Sequence, residues 1–136
     1  MTFPIIAALM VAAFAAPSVT TATVANAPLM AHTPQTLEEY VRDYYIDEPI
    51  LAEIARCEST FRQLDSKGEV LRGKINKSDI GVMQINLFYH EDSADKMELD
   101  LESLEGNLAY AKHLYEKEGT VPWASSAPCW NKKKPK

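Results

Sequence analysis

Charged side chains are missing from the start of this chain: none precedes Glu38 in a sequence of 136 residues. Ile5 to Ala16 forms a short apolar core, and small residues at Ala25 and Ala27 suit cleavage, with Pro28 disfavouring the second bond. Residues 1–27 are therefore expected to be an export signal and 28–35 a linker. The apolar run is shorter than a membrane span requires, so membrane contact is expected only if the segment stays uncleaved. Other scarcities exclude whole chemistries. His32, His90 and His113 stand far apart and neither HExxH nor CxxC occurs, so no metal is expected. A GxSxG elbow and a phosphate-cradling glycine loop are absent as well, and no cofactor is expected.

Cysteine is almost absent too. Cys57 and Cys129 are the two present, and in an oxidising compartment they can pair. A bridge between them would be worth about 4 kcal/mol in the chain-entropy model, and would tie the segment around residue 58 to the C-terminal region. The alternative is a pair of buried free thiols in a reducing compartment.

What is present is acid and enough apolar residues for one modest core, at 46% of the chain. Lys132, Lys133, Lys134 and Lys136 supply four of the 14 basic side chains, leaving 10 against 19 acidic ones, a charge of −9. Such a body argues against a nucleic-acid partner, whose phosphates must be neutralised. Residues 131–136 read as a solvated basic tail.

The spacing predicts a small, mainly α single domain over 36–130, with a polar loop or small β-hairpin beside a cleft. Thr36 to Ile46 reads as a first helix with Leu37, Tyr40, Val41 and Tyr44 on one side. Asp47 is placed to cap a second helix that has Pro49 in its first turn. Residues 62–79 fit a loop or hairpin, and Gly81 to Tyr89 cannot be assigned by period alone. A long helix is expected from about Leu101 to Glu118, capped by Gly119, and a short turn from Pro122 precedes Cys129 and Trp130.

The most informative residue is Glu58. Leu51 and Ile54, seven and four positions earlier, define an apolar helical face with Ile50 and Ala55, and Glu58 falls on it. A carboxyl placed there is desolvated, near a helix C-terminus whose dipole opposes negative charge, and both effects raise its pKa. Such a group serves as a general acid; the plainer reading is a Glu bonded to backbone or paired with an Arg.

Cys57-Glu58-Ser59-Thr60-Phe61 followed by Gly81-Val82-Met83-Gln84-Ile85-Asn86 resembles the lysozyme-like superfamily. More narrowly, it resembles the soluble lytic transglycosylase domains and the resuscitation-promoting factors, over about Ile54 to Trp130. The resemblance implies a lysozyme-like α+β fold, Glu58 as the catalytic acid, and peptidoglycan strands as the partner. The reaction implied is cleavage of the β-1,4 bond between N-acetylmuramic acid and N-acetylglucosamine. In lytic transglycosylases the substrate's own N-acetyl group assists, and the 6-hydroxyl closes to an anhydro product. Animal-type lysozymes use a second acid, and Asp79 stands where that would be. The alternative for Asp79 is a cap on the following turn.

The resemblance adds Ser59, Gln84 and Tyr110 to the substrate-binding set, with Tyr110 facing the cleft and bonded to Glu58, and Trp123 can stack on a sugar ring. Gly81 can let backbone approach a sugar, Met83 can line a cleft floor, and Asn86 can bond an N-acetyl group. Each also has a plainer role: Gly81 and Asn86 in a turn, Met83, Tyr110 and Trp123 in the core. The chain departs from the transglycosylase pattern in lacking the Ala-Tyr-Asn-Ala-Gly-like ending. The pairing of a cysteine just before the acid with one near the domain end is similar to resuscitation-promoting factors. An exported, monomeric wall-cleaving enzyme is the expectation; a hydrolase using Asp79 and a non-catalytic peptidoglycan-binding module stand beside it.

Overall fold

The computed structural model describes residues 35–132, so the expected signal, most of the linker and most of the basic tail lie outside the described residues. The described part is mainly helical, with one two-stranded antiparallel sheet. Helix α1 (Leu37–Tyr44) starts at Thr36, whose hydroxyl accepts from the Glu39 N–H while Glu39 accepts from the Thr36 N–H. This reciprocal cap satisfies two of the donors that a helix start leaves free. Because α1 ends at Tyr44, Tyr45 rather than Tyr44 turns inward; Tyr45 is fully buried and its hydroxyl donates to the Leu108 carbonyl at 2.7 Å. Helix α2 (Pro49–Ser59) has Pro49 at its first position as expected. Its cap position is Glu48, not Asp47, and its side chain makes no capping bond but accepts from Lys112 Nζ at 3.1 Å; Pro49 already removes one of the free donors.

The expected apolar face of α2 is present: Leu51, Ile54 and Ala55 are buried, with Ala52 beside them. Between α2 and the sheet, the Leu64–Val70 and Arg72–Ile80 bridges give residues 62–79 an antiparallel, loop-like course. Strands β1 (Asp79–Ile80) and β2 (Ile85–Asn86) pair Asp79 with Asn86 and Ile80 with Ile85, so Gly81 to Gln84 is the turn of a small hairpin. Helix α3 (Leu87–Lys96) follows directly. The long helix α4 (Leu104–Glu118) begins three residues later than Leu101, because Ser103 accepts from the Gly106 N–H and caps it there. Gly119 ends α4 with φ of 62°, as the sequence suggests. A 3₁₀ segment (Val121–Ser126) and α5 (Ala127–Trp130) close the domain. Cys129 on α5 is bonded to Cys57 on α2, which fits an oxidising, exported setting. Among the described residues no helix is long and apolar enough to cross a membrane.

Two buried amides fix the hairpin turn. Gln63 accepts from the Val82 N–H at 2.9 Å and donates to the Glu102 carbonyl at 2.8 Å. Asn107, fully buried on α4, accepts from the Met83 N–H at 2.9 Å and donates to the carbonyls of Ile80 and Leu101 at 3.1 and 3.0 Å. Gly81 has φ of +72°, and a Cβ there would lie 2.5 Å from Asn107 Nδ2 and 2.8 Å from Gln63 Oε1. Gly81→Ala therefore combines backbone strain with overpacking. It should cost about 2–4 kcal/mol in urea unfolding, and a loss below about 0.5 kcal/mol would mean the clamp yields freely.

Candidate active site

Glu58 is the last residue but one of α2, half-buried where the helix meets the C-terminal segment. Burial pushes its carboxyl above the usual carboxylate range; a hydrogen bond from Ser126 opposes the rise and the nearby charge of Asp79 adds to it. The Ser126 hydroxyl lies 2.6 Å from Glu58 Oε1 and 3.1 Å from the Trp123 carbonyl, and accepts from Trp130 Nε1 at 3.0 Å. A serine hydroxyl has one proton. It donates that proton to Glu58 when the carboxyl is ionised, and has the Trp123 carbonyl as a second acceptor when Glu58 is neutral. The helix then breaks abruptly: Thr60 and Phe61 have φ of 56° and 54°. A β-branched residue in this left-handed region is unusual, and the strain concentrates beside the acid.

Glu58, Asp79, Gln84 and Ser125 line two adjoining depressions. One, of about 330 Å³, runs past Asn86, Tyr89, His90, Glu118, Pro122 and Trp123. The other, of about 410 Å³, runs past Arg62, Arg72, Gly73, Lys74 and Asn76. The acid thus stands where two arms of a groove meet. Gln84 reaches the junction with φ of 51°, a third strained position at the site, and its amide donates to the Gly81 carbonyl at 2.9 Å.

Asp79 faces the same groove, but its side chain does not cap the following turn: Oδ1 accepts from Asn86 Nδ2 at 2.6 Å, across the β1–β2 pair. That bond occupies the Asn86 donor, and among the described residues Asn86 Oδ1 is buried with no partner. Four of the expected residues take the plainer role in the structure. Gly81 is buried and its missing side chain makes room for Asn107 and Gln63. Met83 is fully buried in the core, its carbonyl accepting from Trp123 Nε1 at 3.0 Å. Trp123 borders the groove but is 3% exposed, held by that bond. Tyr110 does not bond Glu58: it is buried, its hydroxyl is 3.2 Å from His90 Nδ1, and its ring packs between His90 and His113. Ser59 borders the groove, yet its hydroxyl is turned inward, donating to the Ala55 carbonyl and accepting from the Arg62 N–H.

Ser126 is the partner of the acid that sequence reading missed. A signal existed: Ser126 lies three residues before Cys129, one helical turn, and Cys129 is bonded to the residue next to Glu58. Comparison with protein-family models, curated proteins and solved structures gave no match.

Two outcomes follow from this geometry and the raised Glu58 pKa. Ser126→Ala removes the donor that favours the carboxylate, so the Glu58 pKa should move further up in a carboxyl NMR titration. Because the fold holds the Glu58 proton more tightly than the unfolded chain does, Glu58 costs stability as pH rises through its raised pKa. Glu58→Gln should therefore gain on the wild type in thermal unfolding at about pH 7 and not at about pH 4. An equal difference at both pH values would contradict the raised pKa.

Proposed function

We propose that this protein is a peptidoglycan lytic transglycosylase, exported to the cell wall, that cuts between N-acetylmuramic acid and N-acetylglucosamine without a cofactor. The observation that carries this reading is a half-buried carboxyl with a raised pKa at the junction of a two-armed groove. The ordered pair of motifs around Glu58 and Gln84 supports the substrate class. Neutral Glu58 gives its proton to the glycosidic oxygen as the bond to the muramyl C1 breaks, freeing the 4-hydroxyl of the next sugar. The substrate N-acetyl oxygen shields the positive centre at C1. Ionised Glu58, now held by Ser126, takes the 6-hydroxyl proton while that oxygen bonds C1 and closes the 1,6-anhydro ring.

Asp79 supports a hydrolytic reading as well, since it lines the same groove. Its bond to Asn86 favours a fixed charge that keeps Glu58 protonated over a nucleophile that must reach C1. Glu58→Gln should lower lysis of purified walls by about 10²–10⁴-fold with the fold intact. Unchanged turnover would refute the assignment. Asp79→Asn should keep activity within about tenfold and move the alkaline limb of the pH profile to lower pH, because the charge that raises Glu58 is gone. Loss comparable to that of Glu58→Gln, with a reducing-end product, would make the enzyme a hydrolase.

A further inference from the structure

The two arms of the groove differ in charge. Beyond the four shared residues, the arm past Tyr89 and Pro122 carries Glu118 and a partly buried His90 whose pKa burial lowers. The other arm carries Arg62, Arg72 and Lys74 and no carboxylate. This is the reverse of the body as a whole, where acids outnumber bases by 19 to 14 even with the lysine tail counted. Three cations grouped on one wall of a cleft in an acidic protein repel each other unless an anion joins them.

Their present partners do not supply that anion in full. Arg62 is anchored through Nε to the Ser59 carbonyl at 2.9 Å, a neutral acceptor. Arg72 donates to the Lys77 carbonyl and shares Glu102 at 3.3 Å, a long and exposed pair. Lys74 is exposed and makes no ion pair among the described residues. Arg62 and Arg72 are therefore held in place by the end of α2 and the 62–79 loop, while Lys74 stands exposed beside them, with charge left over toward the groove.

We propose that the Arg62–Arg72–Lys74 arm is a binding site for a carboxylate carried on a side substituent of the glycan, so that the groove takes strands bearing acidic substituents over neutral ones. This deepens the glycan-cleft reading and rests on it. Two sources present that chemistry on a muramyl residue: the carboxylates of a peptide stem, and, where no stem is attached, the lactyl carboxylate that otherwise forms the amide to the stem. Exposed ion pairs are individually weak, so the arm selects and orients the strand while the acid cuts it.

The test compares three soluble strands: stem-bearing, amidase-stripped with only lactyl carboxylates left, and a neutral N-acetylglucosamine oligomer. Affinity is read by tryptophan fluorescence and turnover by product analysis, for the wild type, Lys74→Gln and Arg62→Gln/Lys74→Gln. Lys74→Gln guards against a fold defect from losing the Arg62 anchor. The double variant should bind at least one of the two acidic strands roughly three- to tenfold more weakly, with kcat unchanged and the neutral oligomer unaffected. Added salt should weaken the wild type toward the same level. A penalty on the stem-bearing strand alone assigns the site to the stem carboxylates; a penalty on the stripped strand alone assigns it to the lactyl carboxylate, which stripping frees from its amide; a penalty on both assigns it to either carboxylate. Equal affinities of wild type and both variants for the acidic strands would overturn the proposal, as would the same penalty on the neutral oligomer. Charge-dependent binding without any cleavage would instead sink the transglycosylase reading and leave the site standing.

Discussion

The tie between the end of α2 and the C-terminal segment is the constraint on which the site depends. Cys57–Cys129 joins the two covalently, and one helical turn from Cys129 the Ser126 hydroxyl meets Glu58 at 2.6 Å. Trp130, on the same short helix, donates to Ser126, and Trp123 anchors the 3₁₀ segment to the Met83 carbonyl inside the core. The carboxyl is thus held by a chain of bonds whose far end is buried. A helix terminus alone frays, and a Glu on it samples many rotamers. Here its position is set by another segment, and the bridge removes the unfolded-state freedom that would oppose bringing the two together.

The second support comes from the opposite wall. Gln63 and Asn107 occupy the Val82 and Met83 N–H groups, which would otherwise be buried without acceptors in a turn too tight to satisfy them internally. Their reach into the turn is possible because residue 81 has no side chain. The turn in turn delivers Gln84 to the groove in a left-handed conformation that an L-residue adopts at a cost. Thr60 and Phe61 carry the same kind of strain on the other side of the acid. Packing elsewhere offsets it: Phe61 is buried and carries the Arg42 guanidinium 5.0 Å above its ring.

How much of this the sequence disclosed follows from the kind of signal each residue gives. The α2 face and the Gly119 stop are local patterns, so they read directly, and the odd carboxyl on an apolar face marked Glu58. Asn107, an amide on the buried face of α4 three residues beyond Leu104, went unread, and only its buried bonds to the hairpin turn disclose it. Tyr110 misled because its placement came from likeness to tyrosine-bearing motifs and not from the helix phase, which turns it onto His90. Ser126 and the clamp of Gln63 on Val82 are contacts between segments far apart in the chain. No period or cap encodes such a contact; only the cysteine pairing hinted at the first. Asp47 lost its capping role to a one-residue shift, which is the ordinary uncertainty of a helix boundary.

The arrangement around Glu58 also resolves a conflict inherent in burying an acid. Desolvation and the charge of Asp79 favour the protonated carboxyl, and if they acted alone they would penalise the carboxylate by the same amount. A donor that strengthened with ionisation would lower that penalty without abolishing the raised pKa. Ser126 is such a donor: its hydroxyl has the Trp123 carbonyl as an alternative acceptor, so it can turn between two partners without being left unsatisfied, and Trp130 holds its oxygen in place in either state. A lysine or arginine at that position would stabilise the carboxylate so strongly that Glu58 would be ionised at rest. A neutral hydroxyl on a rigid segment keeps the raised pKa while easing the cost of the ionised form, which is what the proposed role, first as acid and then as base, requires.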